Sequence, residues 1–95
     1  MKPYGFFPDA QAEFDAALAS SRKPGEFQRV VQEAINDIDT GLMTHAAVRK
    51  TPCRRCVLKK RIPYSIIYIE TDAEIRIVAF AHHKRRPGYW KKRLP

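Results

Sequence analysis

The chain has 95 residues, of which 44% are hydrophobic and 29% are charged, and its formal net charge at pH 7 is +8. This composition is typical of a folded domain, and a chain of this length has room for one hydrophobic core. We therefore expect a single domain over residues 1–95. The longest apolar runs are far shorter than the roughly 20 residues that span a bilayer, which excludes a membrane helix. The N-terminal segment lacks the apolar stretch of a secretory signal, so we expect a cytoplasmic protein with no membrane partner.

Positive charge is concentrated in the second half of the chain. Residues 1–48 contain four Lys or Arg against seven Asp or Glu, a net charge of −3, whereas residues 49–95 contain fourteen against three, a net charge of +11. A field of that size speeds the approach of an anionic partner, such as nucleic acid or an acidic protein segment. The alternative is a solvated charged surface without a partner.

Two helices are predicted in the first half. Apolar residues recur at helical spacing from Ala10 to Leu18, with Pro8 placed for the first turn and residues 23–25 placed to end the helix. A nearly continuous apolar stripe then runs from Phe27 to Ile38 and closes at Thr40-Gly41. The short link between them predicts an antiparallel helical hairpin that covers another surface.

Extended segments are predicted in the second half, and short links make consecutive strands pair antiparallel. The sequence therefore predicts an α+β fold, with an N-terminal helical hairpin packed on an antiparallel sheet of about four strands. A short edge strand at Phe6–Phe7 is also expected. The four main strands are predicted at Val48–Thr51, Arg54–Lys60, Tyr64–Glu70 and Glu74–His82.

The last predicted strand alternates in polarity. Strict alternation places Ile75, Ile77, Ala79 and Ala81 on one face and Arg76, Val78, Phe80 and His82 on the other. We expect the Ile/Ala face to pack on the helices. Arg76 and His82 are then expected together on the opposite, open face, where the basic charge would collect.

The two cysteines, Cys53 and Cys56, have the Cys-x-x-Cys spacing of zinc knuckles and thioredoxin-like motifs. A structural zinc needs four ligands, and the chain has no second cysteine pair. His82 and His83 supply nitrogen ligands only if the fold brings them near. We therefore expect no metal and no other cofactor.

Two segments of the basic half carry a family resemblance. Residues 59–68 read KKRIPYSIIY, and residues 75–90 read IRIVAFAHHKRRPGYW. They resemble the RelE/ParE family of bacterial toxins, in which an Arg-Phe-Pro-Tyr turn enters a strand and a second strand ends in Ala-x-x-His before an Arg-Arg-x-Pro-x-x-Trp tail. Ile62 stands where the family usually has Phe. The resemblance covers residues 49–93, and the Phe7–Ala10 opening agrees with the family's usual start.

The resemblance implies a curved antiparallel sheet covered by a helical hairpin, and a toxin of a type II toxin-antitoxin system of the plasmid-stabilization kind. It also implies growth arrest by the toxin and a cognate antitoxin that neutralises it. The tail looks ParE-like, which favours a poison of DNA gyrase. The alternative is a RelE-like endoribonuclease that cuts messenger RNA on the ribosome. Neither branch takes a small-molecule substrate, and a plain nucleic-acid-binding module is a third class that rests on charge alone.

Candidate catalytic residues matter only if the chain is a nuclease. Attack by a 2′-hydroxyl needs a base, an acid, and cations around the phosphorane. One of the two adjacent histidines resembles in position a histidine that some nucleases of the family use. The candidates are His83, His82, Arg61, Arg76 and Tyr89.

Candidate residues for binding a target or nucleic acid lie near the Pro63 turn and in the tail. Each group also has a purely structural interpretation. The Lys-Lys-Arg run can be a solvated strand end, and Tyr89 can simply pack on Trp90. Trp90 can anchor the tail on the sheet and leave residues 91–93 in solvent. The candidates are Lys59, Lys60, Arg85, Arg86, Trp90 and Arg93.

Overall fold

The computed structural model describes residues 2–41, 45–59 and 61–95. A short strand, Tyr4–Phe6 (β1), precedes two helices, Pro8–Ser20 (α1) and Pro24–Thr40 (α2). Four strands follow, and a 3-10 turn at Lys91–Arg93 lies near the end of the chain. None of the helices in this structure is both long enough and apolar enough to cross a bilayer. The four later strands are Ala46–Ala47 (β2), Arg54–Val57 (β3), Tyr64–Glu70 (β4) and Ile75–His82 (β5).

The five strands form one mixed sheet in the order β1-β5-β4-β3-β2. The pairs β2–β3, β3–β4 and β4–β5 are antiparallel, as their short links require. The first strand pairs with β5 in parallel, through Tyr4 to Phe6. No short link joins β1 to β5, so nothing imposes antiparallel pairing on them. The predicted α+β class is confirmed, and the wholly antiparallel sheet of about four strands is corrected to a mixed sheet of five.

The strand predicted at Val48–Thr51 is wrong. The strand that pairs with β3 lies just before it, at Ala46–Ala47. The backbone N–H of Thr51 donates to the carbonyl of Val48 at 3.2 Å, and Lys50 has a φ of 62°, which an extended strand does not allow. The strand predicted to reach Lys60 ends at Val57, and Lys60 itself lies outside the described residues.

Both helices begin at a proline and pack one face on the sheet. Pro8 and Pro24 occupy first helical positions, where their missing N–H has no intrahelical partner to lose. Gly41, with a φ of 68°, ends α2 in the left-handed conformation that glycine adopts without a steric penalty. The predicted apolar stripe of α2 is buried from Phe27 to Ile38 and packs on the helix-facing side of the sheet.

A second buried cluster lies on the opposite side of the sheet, which we call the open face. It contains Cys53, Ile67, Val78, Ala79 and Trp90. Only 4% of the Trp90 surface is exposed to solvent. The C-terminal tail therefore covers part of the face that the helices leave free.

A β-bulge in β5 changes which side chains reach that face. Ile67 pairs with Ala79 and Tyr68 pairs with Ile77, so Val78 has no partner on β4. One extra residue reverses the inward and outward alternation beyond it. Val78 and Ala79 both join the open-face cluster, and Phe80 returns to the helix side.

The bulge corrects the predicted faces of the last strand. Ile75 and Ile77 pack toward the helices as expected, but Ala79 packs on the open face. His82 contacts Tyr64, which belongs to the helix-side core. Arg76 and His82, expected on the same face, therefore lie on opposite faces of the sheet.

Candidate functional site

A pocket of about 150 Å³ lies on the open face, between the sheet and the C-terminal tail. Strands β3 and β4 and the end of β5 form its floor, and residues 85–90 form a wall. Ser65 on β4 stands opposite Val57 and Ala81 in the strand register, so its side chain shares their face. The pocket therefore combines rigid strand positions with a segment of the predicted basic tail.

Three polar side chains are linked across this pocket. Arg55 donates from Nε to the Ser65 hydroxyl at 3.2 Å, and that hydroxyl lies 3.0 Å from Nε2 of His83. Ser65 is 1% exposed, so its hydroxyl is fixed by protein partners rather than by solvent. While it accepts from Arg55 it can still donate to an unprotonated Nε2. The array holds the His83 ring in one orientation.

Arg55 and Ser65 were not among the predicted site residues. Arg55 belongs to a strand whose other charged residues showed no pattern, and the polar Ser65 sits alone in the apolar run from Tyr64 to Ile69. The signal that could have identified Ser65 is a small hydroxyl within an apolar strand, because a buried hydroxyl requires a hydrogen-bond partner.

The two adjacent histidines face different sides of the sheet. The ring of His82 makes an edge contact with Tyr64 at 4.9 Å between centroids, and its Nδ1 accepts the backbone N–H of Lys84 at 3.0 Å. His83 instead reaches Ser65 on the open face. Only one histidine of the pair therefore has its ring bonded within the pocket.

A second polar cluster, the Glu13 cluster, joins α1 to the tail. Its members are Glu13, Tyr89 and Arg93. Oε2 of Glu13 accepts the Tyr89 hydroxyl at 2.5 Å and Nη2 of Arg93 at 3.1 Å, and Oε1 accepts Nη1 of Arg93 at 2.8 Å. A bidentate arginine–carboxylate pair of this kind is both strong and directional.

The Glu13 cluster also completes the edge of β5. Strand β1 pairs only as far as Ile77, so no described strand lies along the edge of β5 beyond it. The backbone N–H of Phe80 donates to Oε1 of Glu13 at 3.1 Å, and Arg93 donates to the carbonyl of Val78 at 3.0 Å. Two side chains therefore satisfy backbone groups that a longer β1 would otherwise pair.

Charge and burial shift the ionisation of this cluster. Burial alone would raise the pKa of Glu13, but hydrogen bonds from Arg93, Tyr89 and the backbone outweigh it and lower that pKa below 4.5. Burial, reinforced by the Glu13 carboxylate, raises the pKa of Tyr89 to about 12. The hydrogen bond that Arg93 donates to Glu13 likewise raises the pKa of Arg93. At neutral pH the cluster is therefore one carboxylate, one guanidinium and one neutral phenol.

The tail residues proposed for target binding are not all available at the surface. Trp90 is buried in the open-face cluster, which is the structural alternative considered for it. Arg93 does not extend into solvent, since its side chain is 12% exposed and paired with Glu13. Tyr89 lies under the guanidinium of Arg85, 3.9 Å from its ring centroid. Of the predicted binding residues in the tail, Arg85 and Arg86 are exposed.

The predicted catalytic residues are not brought together. Arg76 lies near the start of β5, over the ring of Phe7 at 4.8 Å and 3.5 Å from Glu74. His83 lies past the other end of that strand, roughly 20 Å away at about 3.3 Å per residue. Arg61, with a φ of 62°, is exposed in the connection from β3 to β4, as is Lys59. Lys60 is outside the described residues.

The two cysteines are buried on opposite sides of the sheet. Cys53 belongs to the open-face cluster and Cys56 to the helix-side core, and both thiols are free. Burial raises the pKa of each. Across residues 2–41, 45–59 and 61–95, no three His, Cys, Asp or Glu side chains are placed to hold a metal ion.

Comparison with solved structures shows that the fold of this chain is shared. No family model matches the sequence, and no curated protein matches it. A chain described as the "Chromosomal ParDE TA system from P. aeruginosa" aligns with a TM-score of 0.60 and 18% identity. The alignment covers 86% of this chain and 96% of that one. This likeness shows a shared fold and agrees with the RelE/ParE resemblance of the sequence.

Proposed function

We propose that this chain is the toxin of a type II toxin-antitoxin pair, that it arrests growth in the cytoplasm by poisoning DNA gyrase, and that a cognate antitoxin neutralises it. The fold shared with a ParDE chain supports the toxin assignment. We favour a protein that acts by binding because the tail is docked on the fold through Tyr89. This fixed segment presents Arg85 and Arg86 at the surface.

The separation of the candidate catalytic groups favours binding over catalysis. A general acid and base must both come within hydrogen-bond reach of one scissile group. The His82 ring packs against Tyr64 on the helix side of the sheet, and the Tyr89 hydroxyl is bonded to Glu13. A protein that acts by binding needs a complementary surface rather than such convergence.

The charge distribution supports both proposed partners. The half of the chain after residue 48 has a net charge of +11. Exposed arginines of the tail favour contact with gyrase or with the DNA that gyrase holds. An acidic, partly disordered antitoxin segment would neutralise the same surface, since complementary charge speeds association and selects partners.

A gyrase assay with matched charge variants tests the target. We expect the purified chain to make gyrase accumulate cleaved DNA or to stop supercoiling, with an effect that weakens as salt increases. Replacing Arg85 and Arg86 by Gln should weaken it, whereas the same change at Arg22 and Lys23, exposed between the helices, should not. Normal gyrase activity at saturating protein would reject gyrase as the target.

Co-expression tests the antitoxin. We expect the chain to stop growth when expressed alone, and the product of a neighbouring gene to restore growth and to co-purify with it. A chain that is harmless alone, and that captures no neighbouring product, would reject the toxin assignment.

One observation favours the nuclease alternative. His83 and Arg55 line the same pocket and are linked through the Ser65 hydroxyl. A histidine and an arginine can act as general acid and charge stabiliser in phosphodiester cleavage. Cleavage of messenger RNA on ribosomes by the purified chain, with gyrase unaffected, would establish this branch.

A further inference from the structure

Strand β1 lies at one edge of the sheet, and among the described residues no strand pairs with its outer side. We propose that two copies of this chain associate by pairing their β1 strands antiparallel across a two-fold axis, which joins the two sheets into one. The proposal goes beyond the proposed function, because it concerns the isolated chain and is independent of its target.

The backbone of β1 bonds to β5 on one side only. The carbonyl of Pro3 accepts a hydrogen bond from β5 at 3.1 Å, and the N–H of Phe7 donates one to β5 at 2.8 Å. Because backbone groups alternate in direction along a strand, the N–H and C=O groups of Tyr4 and Phe6 point away from β5. Such a row of outward groups at a sheet edge is a template for another strand.

This outer edge is complementary to itself. An antiparallel pair centred on Gly5 puts Tyr4 of one copy opposite Phe6 of the other, and these two residues exchange both backbone hydrogen bonds. The two-fold axis repeats the exchange, so every outward N–H and C=O group of both residues finds a partner. A contact of this kind uses the same surface on both copies and therefore stops at a dimer.

Gly5 has no role within its own chain that requires a glycine. A Cβ added at Gly5 would meet no atom within 4 Å apart from its chain neighbours, and its φ lies outside the left-handed region. Glycine weakens a strand interior and often marks a place where another backbone approaches closely. At the centre of the pair the two Gly5 residues face each other, where opposite Cα atoms of an antiparallel pair come closest.

A groove of about 430 Å³ runs beside β1 on the helix side of the sheet. Phe6, Phe14 and Ile35 line it, and Tyr4, which is 40% exposed, lies at its border. Directly opposite residues of an antiparallel pair share a face, so Tyr4 of the second copy lies beside Phe6 and covers the groove. Aromatic cross-strand pairs of this kind stabilise a sheet.

Charge favours a second copy over an acidic partner. Residues 3–8 contain no charged side chain, and of the described residues that line the groove only Arg29 is charged. The centre of the pair therefore brings no like charges together. At each end Lys2 lies opposite Pro8 of the second copy and next to Asp9, so the charges that meet there are opposite. An acidic segment is attracted instead to the basic second half of the chain.

The geometry of the pair sets its strength and its shape. Only three residues of each strand take part, so we expect a weak dimer, with a dissociation constant on the order of 10–100 µM. Antiparallel pairing within one sheet keeps both helical hairpins on one side and both open faces on the other. The dimer therefore presents two copies of the Arg85 and Arg86 surface on the same side.

Sedimentation of the purified full chain tests for the dimer. As the concentration rises from about 10 µM to about 1 mM, the monomer should give way to a dimer and not to larger species. A chain that stays monomeric throughout this range, or that forms an open series of larger species, would overturn the proposal.

Charge variants at the centre test the register. Gly5→Lys and Gly5→Glu each have room to fold as monomers, but each places like charges across the two-fold axis and should weaken self-association about tenfold. An equal mixture of the two variants should recover the dimer, because opposite charges then face each other. Gly25→Lys and Gly25→Glu, at an exposed glycine of α2 with similar space, should leave self-association unchanged. A mixture that fails to recover the dimer, or an equal loss in the Gly25 variants, would overturn the pairing at Gly5.

Amide exchange identifies the edge without any substitution. The N–H groups of Tyr4 and Phe6 should exchange more slowly as the protein concentration rises, whereas the N–H of Phe7, already bonded to Ile77, should change little. A dimer that leaves Tyr4 and Phe6 unprotected would use another interface and would overturn the proposal. None of these measurements uses gyrase, ribosomes or toxicity, so failure here is distinct from failure of the proposed function.

Discussion

The hydroxyl of Tyr89 donates to the carboxylate of Glu13 at 2.5 Å, although 76 positions separate the two residues along the chain. Arg93 binds the same carboxylate through two nitrogens. One acidic side chain on α1 therefore fastens the C-terminal tail to the sheet, and several measurable properties depend on it.

The first prediction concerns stability. Glu13→Ala should lower the free energy of unfolding by about 3–5 kcal/mol, because it leaves the nearly buried Arg93 and the Phe80 N–H without their acceptor. Denaturant unfolding measures this change. Glu74→Ala removes a carboxylate from an ion pair whose side chains are nearly half exposed, and should cost less than about 1 kcal/mol. Equal losses would show that the Glu13 cluster does not stabilise the tail.

The second prediction concerns the stability of the protein at low pH. The pKa of Glu13 in the folded protein lies below the ordinary 4.5, so its contribution to stability is present above pH 4.5 and is lost as the pH falls through the folded pKa. Stability measured against pH should therefore fall more steeply below pH 4.5 in the parent protein than in Glu13→Gln. Parallel curves would mean that Glu13 titrates alike in the folded and unfolded chains.

The third prediction concerns the ionisation of two tyrosines at high pH. The pKa values of Tyr68 and Tyr89 are raised to about 12 from an ordinary 10, first by burial and then by nearby acidic groups. The contribution of these raised pKa values to the free energy of unfolding is present below pH 10 and is lost as the pH rises toward 12. Absorbance titration of the folded protein should show a late tyrosinate fraction, and Tyr68→Phe or Tyr89→Phe should each remove part of it. An unchanged late fraction in both variants would contradict the assignment.

The fourth prediction separates the two candidate targets. If the chain poisons gyrase, His83→Ala should leave toxicity nearly unchanged, while Arg85→Ala with Arg86→Ala should weaken it in a salt-dependent way. If it is a nuclease, His83→Ala should slow cleavage by about 10²–10⁴-fold. Growth assays with both variants decide the matter, since toxicity that is lost only with His83→Ala would favour the nuclease.

The fifth prediction uses the single tryptophan as a reporter. Trp90 is 4% exposed, so its emission should lie at short wavelength and move to longer wavelength when the tail leaves the sheet. In Glu13→Ala this shift should precede the loss of helix signal during denaturation, because the tail then opens locally. Coincident transitions would show that tail and core unfold together.

The helices and central strands were predictable because their signals are local. The apolar stripe of α2 and the strand Tyr64–Glu70 were both identified from residue spacing, and the structure confirms them. The bulge at Val78 carries no such signal, since no Gly or Pro marks it and it arises from register against β4. Missing it led to the wrong face for His82.

The polar clusters were predictable only in part. The position of His83 at the end of the last strand followed from the sequence, whereas its bond to Ser65 depends on the pairing of two strands. Glu13 looked like an ordinary helix residue, because every partner that distinguishes it lies more than sixty positions away.

The parallel pairing of β1 with β5 has a consequence for biosynthesis. Tyr4 to Phe6 find their partners only at Ile75 to Ile77, and Glu13 finds its own only from Phe80 onward. A chain that emerges from its N-terminus cannot close either contact until residues 75–80 have been made, and contacts so distant in sequence form slowly. Until those residues have left the ribosome, the helices expose the apolar faces that the sheet later covers.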